Sequence, residues 1–576
     1  MPIDQLELSG LSVDTLLSLP FLPFYIGAIL AIVLRGHLRS IVLLAIPLLG
    51  GWHLWQNSGD MLYQMEFMGY TLTPLRIDKL SLLFGYLFHL AAFIAILYSL
   101  HVKDTLQQVM AMFYAGSALG AVFAGDLLTL FVFWEIMAVS SAFLIWARRT
   151  ERSLRAGMRY LIIQVISGVV LLAGTLILAA QTGSLDFGYI GLDTTAGWLI
   201  MLAFGLKATF PFLHNWATDA YPEATVTGAV FLVCFTTKLA VYALARGYPG
   251  TEILIYIGAA MTCFPIFYAV IENDLRRVLT YSMINQLGYM VCAIGIGTAL
   301  AMNGAVATAF NHVIYKGLLF MAMGAVLHRT GRINGSDLGG LYKSMPVTTV
   351  LCIIGAASIS AFPLFSGFVS KAMIMSAVLK EGYEIIWLML LFAAAGVFHH
   401  AGIKIPYFAF FAHDSGIRTK EAPKNMLLAM GVAAFICILI GCYPTVLYNL
   451  LPYDYSYNPY DTTHVLTQLQ LLFFSAMAFV WLNLRGMYPP ELPSTNLDIE
   501  WFYRRLLPES VRAFLKIGRP VDAAVRKGAV GAATGFTGML ARQHGPDSVL
   551  SRRWPIGSMV LWVAAFLAFY ILFYNV

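Results

Sequence analysis

Residues 205–245 decide the fold of this chain, and they read GLKATFPFLHNWATDAYPEATVTGAVFLVCFTTKLAVYALA. Two lysines, Lys207 and Lys238, lie here inside strongly apolar segments, where a charged side chain is costly. Pro211 and Pro222 lie between them and interrupt any helix that carries those lysines. An ionisable residue beside a break in an apolar helix predicts a functional site within a membrane.

The composition of the whole chain indicates the same environment. Of the 576 residues, 59% are hydrophobic and 11% are charged, whereas an ordinary soluble domain carries about 25% charged residues. A compact soluble fold cannot hide this much apolar surface, and a helix satisfies its own backbone hydrogen bonds in lipid. The net charge of +6 is small, and we expect no nucleic-acid partner.

A membrane-spanning helix needs about 20 mostly apolar residues, so the sequence predicts an all-α polytopic membrane protein with about 14 to 16 transmembrane helices. The predicted helices lie at 15–34, 38–55, 79–101, 106–124, 127–147, 158–180, 195–215, 225–246, 252–271, 277–298, 303–327, 346–379 (broken), 385–404, 426–448, 465–484 and 555–574.

The distribution of basic residues predicts the orientation of these helices. Lysines and arginines concentrate in the loops after odd-numbered helices, as at Arg148 and Arg149 after the fifth. Because basic loops stay in the cytoplasm, we expect a bacterial cytoplasmic (inner) membrane protein with both termini on the non-cytoplasmic side.

The sequence offers no metal or cofactor site. Its six cysteines lie in or beside apolar runs without metal-ligand spacing, so we expect buried free thiols. No nucleophile, metal set or phosphate loop accompanies the buried acids and bases, which argues against a stand-alone enzyme.

An internal repeat connects two parts of the chain. Pro211 follows a phenylalanine near Lys207, and 152 residues later Pro363 follows a phenylalanine near Lys371. Broken helices at corresponding positions of two halves point to a transport site. With five helices in each half, successive halves begin on opposite sides of the membrane, so the predicted repeats are inverted.

This pattern predicts six segments. They are N-terminal transmembrane helices at 1–105, a first repeat at 106–246, a second, inverted repeat at 252–404, C-terminal helices at 405–484, a basic cytoplasmic amphipathic segment at 485–554 and a final transmembrane helix at 555–576.

Glu135 is the buried acid of the predicted site. It lies in LLTLFVFWEIMAVSSAFLIW, where a carboxylate costs about 2.5–3.5 kcal/mol on insertion scales. It must therefore be paired or protonated. The alternative to a functional role is an ion pair with Lys207 that only locks two helices together.

The buried bases form a predicted proton relay. Burial disfavours the charged form of a lysine, so Lys207, Lys238 and Lys371 are candidate proton carriers. His312 titrates near neutrality without help and lies four residues from Lys316, a weaker candidate, on the same helix face. Two alternatives remain open, namely that Lys238 extends to the membrane surface and that His312 is simply hydrogen-bonded. Less specific candidates are His214, Asp219, Glu223, Asp126, His399 and His400.

Five motifs resemble one family. The stretches FVFWEIM, GLKATFPFLHNWATDAYPEA, TTKLAVYALAR, FNHVIYKGLLFM and AFPLFSGFVSK, between roughly 75 and 450, are similar to the antiporter-like subunits of respiratory complex I and, above all, to the D-type subunit of multisubunit Mrp-type Na+/H+ antiporters. The resemblance implies a 14-helix core with two inverted five-helix repeats and a proton path along the membrane mid-plane. It also implies that Glu135 is a coupling glutamate paired with Lys207, that Lys238 and His312 connect the halves, and that Lys371 is the terminal lysine.

The C-terminal part departs from the pattern of the D-type protein. That protein normally stops soon after its fourteenth helix, whereas this chain adds a fifteenth helix, the segment 485–554 and a sixteenth helix. An amphipathic run from Leu507 to Leu540 predicts a helix along the membrane surface or along a partner. This tail looks more like the largest of the antiporter-like proteins in complex I, whose lateral helix clamps its neighbours.

These observations favour a proton-translocating component of a multisubunit monovalent cation (Na+)/H+ antiporter. The expected partners are other membrane subunits, protons, Na+ and the lipid bilayer. An alternative is the same module in a complex I-like, redox-driven proton pump whose partner subunits hold the electron carriers. A third is a non-pumping scaffold that anchors a partner through 485–554.

Overall fold

The computed structural model describes residues 19–67, 69–493, 496–545, 548 and 555–574. Its contacts divide the chain into two units, Met1–Asn496 and Leu497–Val576. The first unit is a helical bundle with one extensive apolar core. Both chain ends and the first residues of the helix predicted at 15–34 lie outside the described residues.

The chain enters the bundle through three helices and a β-hairpin. In order they are α1 (Leu22–Val33), α2 (Gly36–Gln56), β1 (Met61–Phe67), β2 (Tyr70–Ile77) and α3 (Lys79–Ser99).

The hairpin was not predicted, and its contacts fix it to the bundle. The strands pair antiparallel with Met61 opposite Ile77. On β2, Thr73 accepts a hydrogen bond from Gly125 N–H (2.8 Å), and its own N–H donates to the Asp126 carboxylate (2.7 Å). A short apolar run between long helices gives little period-two signal, which is why the sequence did not reveal these strands.

The first predicted repeat holds seven helices, three of them short. They are α4 (Thr105–Phe123), α5 (Leu127–Trp146), α6 (Glu151–Thr182), α7 (Thr195–Lys207), α8 (Asn215–Ala220), α9 (Gly228–Cys234) and α10 (Thr236–Gly247).

The second predicted repeat begins after α10. Its helices are α11 (Ile253–Ile271), α12 (Leu275–Ile296), α13 (Ala299–Thr330), α14 (Pro346–Ile359), α15 (Ser366–Lys380) and α16 (Glu384–Val397). The backbone continues from α16 as π-helical turns over Phe398–Lys404 and Tyr407–Phe411.

Two corresponding loops break the helices, as predicted. We call 208–214 the first break and 360–365 the second break. Thr209 and Phe212 have positive φ angles of 64° and 69°, and 152 residues later Ala361 and Leu364 have 57° and 73°. Non-glycine residues rarely adopt this conformation, so its recurrence at the same spacing indicates the same backbone fold in both breaks.

A second correspondence recurs at a spacing of 148 residues. The backbone of Asp126 forms an isolated antiparallel β-bridge with Asp186, and that of Asp274 forms one with Asn334. α5 and α12 each begin directly after the bridging aspartate, and α6 and α13 both contain 32 residues. These matches support the predicted repeats, while their inversion across the membrane remains a prediction.

Twelve of the described helical segments are long and apolar enough to cross a membrane. In this count α9 and α10 form one segment, Gly228–Gly247, and α16 with the π-helical turns forms another, Glu384–Phe411. α1, α7 and α14 are apolar but shorter. The predicted broken helix at 346–379 is confirmed as α14 and α15. The helix predicted at 225–246 is also divided, between α9 and α10 at Phe235, which the sequence did not indicate.

Three more helices complete the first unit: α17 (Lys424–Cys442), α18 (Thr445–Tyr448) and α19 (Thr462–Leu484). The second unit contains α20 (Leu507–His544) and α21 (Ile556–Tyr574). The predicted amphipathic run is thus one continuous helix, and no residue of α20 or α21 is buried within the described structure.

Candidate functional site

The bundle encloses the predicted relay residues. Lys207, Lys238, His312 and Lys316 have no exposed surface, and Lys371 is 4% exposed. Glu135 is half-buried on α5. Each residue lies on a different helix except His312 and Lys316, which share α13.

Lys207 is held at the first break. It is the last residue of α7, and its Nζ donates a hydrogen bond to the Trp134 carbonyl at 2.8 Å. The same Nζ lies 4.1 Å from the centroid of the Trp134 ring. A carbonyl and an aromatic face both attract a cation, so this environment accommodates the ammonium without a direct carboxylate partner.

Glu135 occupies a space that Gly168 leaves open. A Cβ atom at Gly168 on α6 would collide with the Glu135 carboxylate. Among the described residues, none hydrogen-bonds Glu135 Oε1 and none forms a salt bridge with Glu135. Glu135 and Lys207 still interact electrostatically. The two charges are therefore close but separate, and the helix-locking ion pair of the sequence analysis is not formed.

Lys238 is held at the discontinuity between α9 and α10. Its Nζ donates to the Val233 carbonyl (2.6 Å) and to Thr237 Oγ1 (3.1 Å). Across the same discontinuity, Thr236 N–H donates to the Tyr114 hydroxyl at 3.1 Å. The backbone groups freed at this point are thus satisfied inside the bundle. Because the amine binds internally, Lys238 does not extend to the membrane surface.

Buried aromatic and hydroxyl groups lie around the two lysines of the first half. Trp216 Nε1 donates to the carbonyl of Leu206, next to Lys207, at 2.8 Å. The Trp216 ring packs against Tyr160 at 5.5 Å, and the Tyr160 hydroxyl bonds to Ser141 at 2.8 Å. Together with Tyr114 and Thr236, they place hydroxyl groups between the surroundings of Lys207 and those of Lys238.

His312 and Lys316 are buried polar residues. No described residue hydrogen-bonds either ring nitrogen of His312 or the Nζ of Lys316. His312 interacts electrostatically with Lys238, Lys316 and Lys371. Buried polar groups without a protein partner are normally satisfied by water. His312 is therefore not a histidine fixed by hydrogen bonds, and it lies among the lysines of both halves.

Lys371 reaches the second break from the opposite direction. It lies on α15, after the break, and its Nζ donates to the carbonyl of Ile359 at 3.3 Å. Ile359 ends α14 and lies 152 residues after Lys207. Nζ also lies 5.0 Å from the centroid of the Tyr289 ring. The ammonium thus has a carbonyl and an aromatic face, as Lys207 has.

A cavity of about 320 Å³ opens beside Lys371. Ser376, Trp387, His464 and Gln468 are among its lining residues. Gln468 Nε2 donates to the Ser360 carbonyl at 3.0 Å, which ties the cavity wall to the second break.

His464 connects this cavity to an exposed carboxylate. Its Nε2 lies 2.8 Å from Ser376 Oγ, and its Nδ1 lies 2.5 Å from Asp461 Oδ2. Asp461 also caps α19 by accepting the backbone N–H of His464 at 2.7 Å. These hydrogen bonds hold the pKa of the Asp461 carboxyl below its usual value. The pair therefore links the wall of the cavity to an exposed carboxylate.

Two of the less specific candidates form ion pairs with arginines. Asp219 accepts two hydrogen bonds from Arg159, at 2.7 and 3.0 Å. Glu223 pairs with Arg148 at 3.1 Å and with Arg152 at 3.0 Å. These contacts attach the segment after the first break to Arg148 in the loop before α6 and to Arg152 and Arg159 on α6 itself, which is a structural role.

Of the remaining candidates, three make helix-capping or ring contacts and the fourth is a fully buried histidine. Asp126 caps α5 by accepting Thr129 N–H at 2.7 Å. The His214 ring packs against Phe264, and the His399 ring packs against Phe479. His400 differs because it is fully buried and no described residue hydrogen-bonds its ring nitrogens.

The sequence analysis missed a buried ion pair. Lys404 Nζ lies 2.8 Å from Glu491 Oε1, and the two side chains are 0% and 4% exposed. Lys404 is the last residue of the helix predicted at 385–404, where a basic residue is typical of the membrane surface, and Glu491 lies in a proline-containing stretch that is also typical of a surface. An apolar run that continues past Lys404, IPYFAFF, was the available signal.

Twelve candidate spans, two broken helices and a buried series of acids and bases define a polytopic membrane protein of the antiporter-like class. Residues 124–407 match the family model described as NADH:quinone oxidoreductase/Mrp antiporter, TM, and this part of the chain belongs to that family.

Curated relatives agree with this family. The chain is 30% identical over 425 residues to the A-type subunit of the Na(+)/H(+) antiporter of Alkalihalophilus pseudofirmus, covering 64% of this chain and 52% of the relative. It is 32% identical over 308 residues to the D-type subunit from the same organism, covering 49% of this chain and 62% of the relative. The chain thus spans between about half and three-fifths of the length of these relatives.

Solved structures share the fold. A chain of the Mrp complex from Dietzia sp. aligns with a TM-score of 0.70 at 20% identity, covering 79% of this chain and all of the other. A chain of the membrane-bound sulfane sulfur reductase, an archaeal respiratory membrane complex, aligns with a TM-score of 0.70 at 23% identity, covering 96% of this chain and all of the other.

Proposed function

We propose that this chain is a proton-translocating component of a multisubunit Na+/H+ antiporter in the bacterial cytoplasmic membrane. The observation that carries the proposal is the buried series from Glu135 through Lys207, Lys238 and His312 to Lys371. Intramembrane ionisable groups are costly and are typical of proton relays. The two relatives named as Na+/H+ antiporter subunits support the antiport.

The geometry suggests how protons move along this series. While Glu135 is ionised, its negative charge favours the ammonium of Lys207. When Glu135 takes up a proton, that stabilisation is lost, and Lys207 releases its own proton toward neutral Lys238. His312 accepts the proton at one ring nitrogen and releases one from the other toward Lys371. The cavity beside Lys371, with Ser376 and the Asp461–His464 pair, then returns it to water.

Substitutions at three points test this function. In the assembled complex, we expect Glu135→Gln, Lys207→Met and Lys371→Met each to lower Na+-driven proton flux by about 100-fold, the scale of losing a positioned acid or base. The measurement is pH-dye fluorescence in proteoliposomes. Lys343→Met, which removes an exposed ion pair with Asp414, is the matched control. Wild-type flux in the three buried variants, with normal subunit composition, would contradict the proposal.

A second candidate is a redox-driven pump. The fold shared with a chain of the sulfane sulfur reductase complex over 96% of this chain favours it, because that likeness extends over most of the C-terminal unit. Purification of the complex with flavin- or iron–sulfur-containing subunits would favour the pump, and purification with Na+-dependent flux and no such subunits would favour the antiporter.

The C-terminal unit is proposed to contact other membrane subunits. α20 has 38 residues, which corresponds to about 57 Å of helix. Apolar residues such as Phe514 (75% exposed) and Val525 (65% exposed) lie exposed on it between its basic residues. The scaffold alternative predicts that removing 485–576 abolishes partner binding. It also predicts that the full-length chain moves no protons, so proton flux in the full-length complex would exclude the scaffold alternative.

A further inference from the structure

We propose that the relay has a second branch, which leaves Lys316, passes through His400 and ends at the Lys404–Glu491 ion pair. This inference rests on the proposed proton-translocating function and deepens it. It assigns a role to buried ionisable residues that the path from Glu135 to Lys371 does not use.

The first step of the branch joins α13 to the end of α16. Lys316 and His400 have no exposed surface, and none of the residues in the described structure hydrogen-bonds Lys316 Nζ or a His400 ring nitrogen. The two groups interact electrostatically, and Lys316 interacts in the same way with Lys238. Lys316 has no hydrogen-bond partner in the described structure, whereas a backbone group of Gly396 acts on His400. A buried amine without a partner is best satisfied by water, and in the proposed branch this water carries the proton from Lys316 to His400.

The backbone around His400 has an unusual form. Phe398–Lys404 is π-helical, and such turns are rare and frequent at functional sites. Gly402 lies so close to the second break that a Cβ atom there would collide with Ser360 Oγ. The segment that carries His400 and Lys404 is therefore packed directly on the break that Lys371 serves.

The branch ends on an ion pair that is enclosed by protein. Besides its contact with Glu491, Lys404 Nζ donates to the carbonyls of Val270 (2.6 Å) and Glu272 (2.7 Å) at the end of α11. A buried ion pair seldom stabilises a fold more than apolar residues of the same size would. Stability alone thus gives little reason for this pair.

The pair lies next to the basic end of α12. The charged groups around it are Glu272, which Arg277 approaches to 3.8 Å, and His400. The Arg277 side chain is 21% exposed, so this cluster reaches the surface. Burial raises the pKa of the Glu491 carboxyl, although Lys404 opposes the shift. By the distribution of basic residues, this surface is the predicted cytoplasmic one.

The proton transfers balance as follows. The Lys404 ammonium gives a proton to the Glu491 carboxylate, which leaves a neutral amine and a carboxylic acid. Glu491 releases that proton to water and becomes a carboxylate again. The amine of Lys404 then accepts a proton from the His400 imidazolium, and His400 is recharged by the Lys316 ammonium. Each cycle moves one proton from Lys316 to water and restores Lys404, Glu491 and His400, and Lys316 is recharged by the Lys238 ammonium. All steps can run in reverse.

The test uses the complete complex in proteoliposomes with a pH-sensitive dye. When the transfers run in reverse, the branch delivers protons to Lys316 in series with their release at Lys371. We therefore expect His400→Leu and His400→Gln each to lower proton flux by about tenfold or more, because neither side chain accepts a proton. His53→Leu, on an exposed face of α2, is the control and should keep the wild-type flux. Subunit composition and thermal stability are measured on the same samples.

A double variant separates a relay from a structural ion pair. Lys404→Met with Glu491→Leu removes both charges and leaves no unpaired buried charge, so the complex should assemble. We expect its flux to fall as in His400→Leu. Wild-type flux in the double variant or in both His400 variants, while Lys207→Met abolishes flux, would overturn the branch and leave the proposed function intact. Wild-type flux in Lys207→Met would instead refute the proposed function.

Discussion

In the first break α7 ends on Lys207 itself, whereas in the second break α14 ends on Ile359 and Lys371 reaches back to that residue from α15. The two backbones share positive φ angles at the same positions. The lysines enter from opposite sides of the break, yet each amine binds a carbonyl and faces an aromatic ring. Each break therefore has a buried lysine amine beside it, although a different helix supplies the lysine in each half.

The helix pairs beside the breaks differ in the sign of their buried charge. In the first half, Glu135 on α5 faces Gly168 on α6. At the corresponding positions, 148 residues later, the second half has Met283 on α12 and Lys316 on α13. A site that holds an acid in one half thus holds a base in the other. The same pair of helices thus carries an acid in the first half and a base in the second.

The largest effect is expected from the glycine that makes room for Glu135. Gly168→Ala would push the flexible carboxylate away from its present position while the helices remain packed. Because small misplacements of a reacting group are costly, we expect proton flux to fall by about tenfold or more with little change in thermal stability. Gly431→Ala on α17 meets nothing within 4 Å and is the control. Equal flux in both variants would mean that the position of Glu135 does not matter.

A smaller effect is expected from the strained residues of the two breaks. Phe212 and Leu364 have positive φ and are 74% and 57% exposed, so their side chains lose little packing when shortened. A β-branched residue is disfavoured there, and we expect Phe212→Val and Leu364→Val each to lower the unfolding free energy by about 1–2 kcal/mol. Leu388→Val on α16, also exposed, should cost less. Thermal unfolding of the complex measures the difference. A loss of stability in only one of the two break variants would contradict the equivalence of the two breaks.

The smallest effect concerns the cavity beside Lys371, a feature of the second half. His464 lowers the pKa of Asp461, so this pair stabilises the fold above the ordinary carboxyl pKa of 3.8 and ceases to do so as the pH falls through the lower value. We expect Asp461→Asn to lower the melting temperature slightly at pH 7 and the difference to vanish in acid. A difference that is constant with pH would show that hydrogen-bond geometry, and not charge, is responsible.

Long apolar runs predicted most of the helices, because length and hydropathy decide membrane spans. The two breaks were also predictable, since Pro211 and Pro363 mark them in the sequence. The break at Phe235 has no proline or glycine; Lys238 and Tyr114 stabilise it by binding the freed backbone groups, and such distant contacts leave no local pattern.

The candidate site was predictable to a similar extent. Lysines and a glutamate inside apolar runs are conspicuous, so the residues of the proposed relay could be selected from the sequence, and the structure buries them in the bundle. Gly168, in contrast, contributes because it has no side chain and so leaves space for the Glu135 carboxylate. Only the packing of α5 against α6 shows this. Lys404 and Glu491 are 87 residues apart and each is typical of a surface when considered alone, so their burial as a pair could not be inferred from sequence.

The contact between Gly168 and Glu135 has a consequence for the history of the two halves. If both descend from one ancestral unit, the first half could gain its buried acid only where the residue at 168 was small. A larger residue at 168 displaces the glutamate, and a glutamate gained first would have no space. We expect the two positions to have changed together, and a relative without the acid is free to carry a larger side chain opposite it.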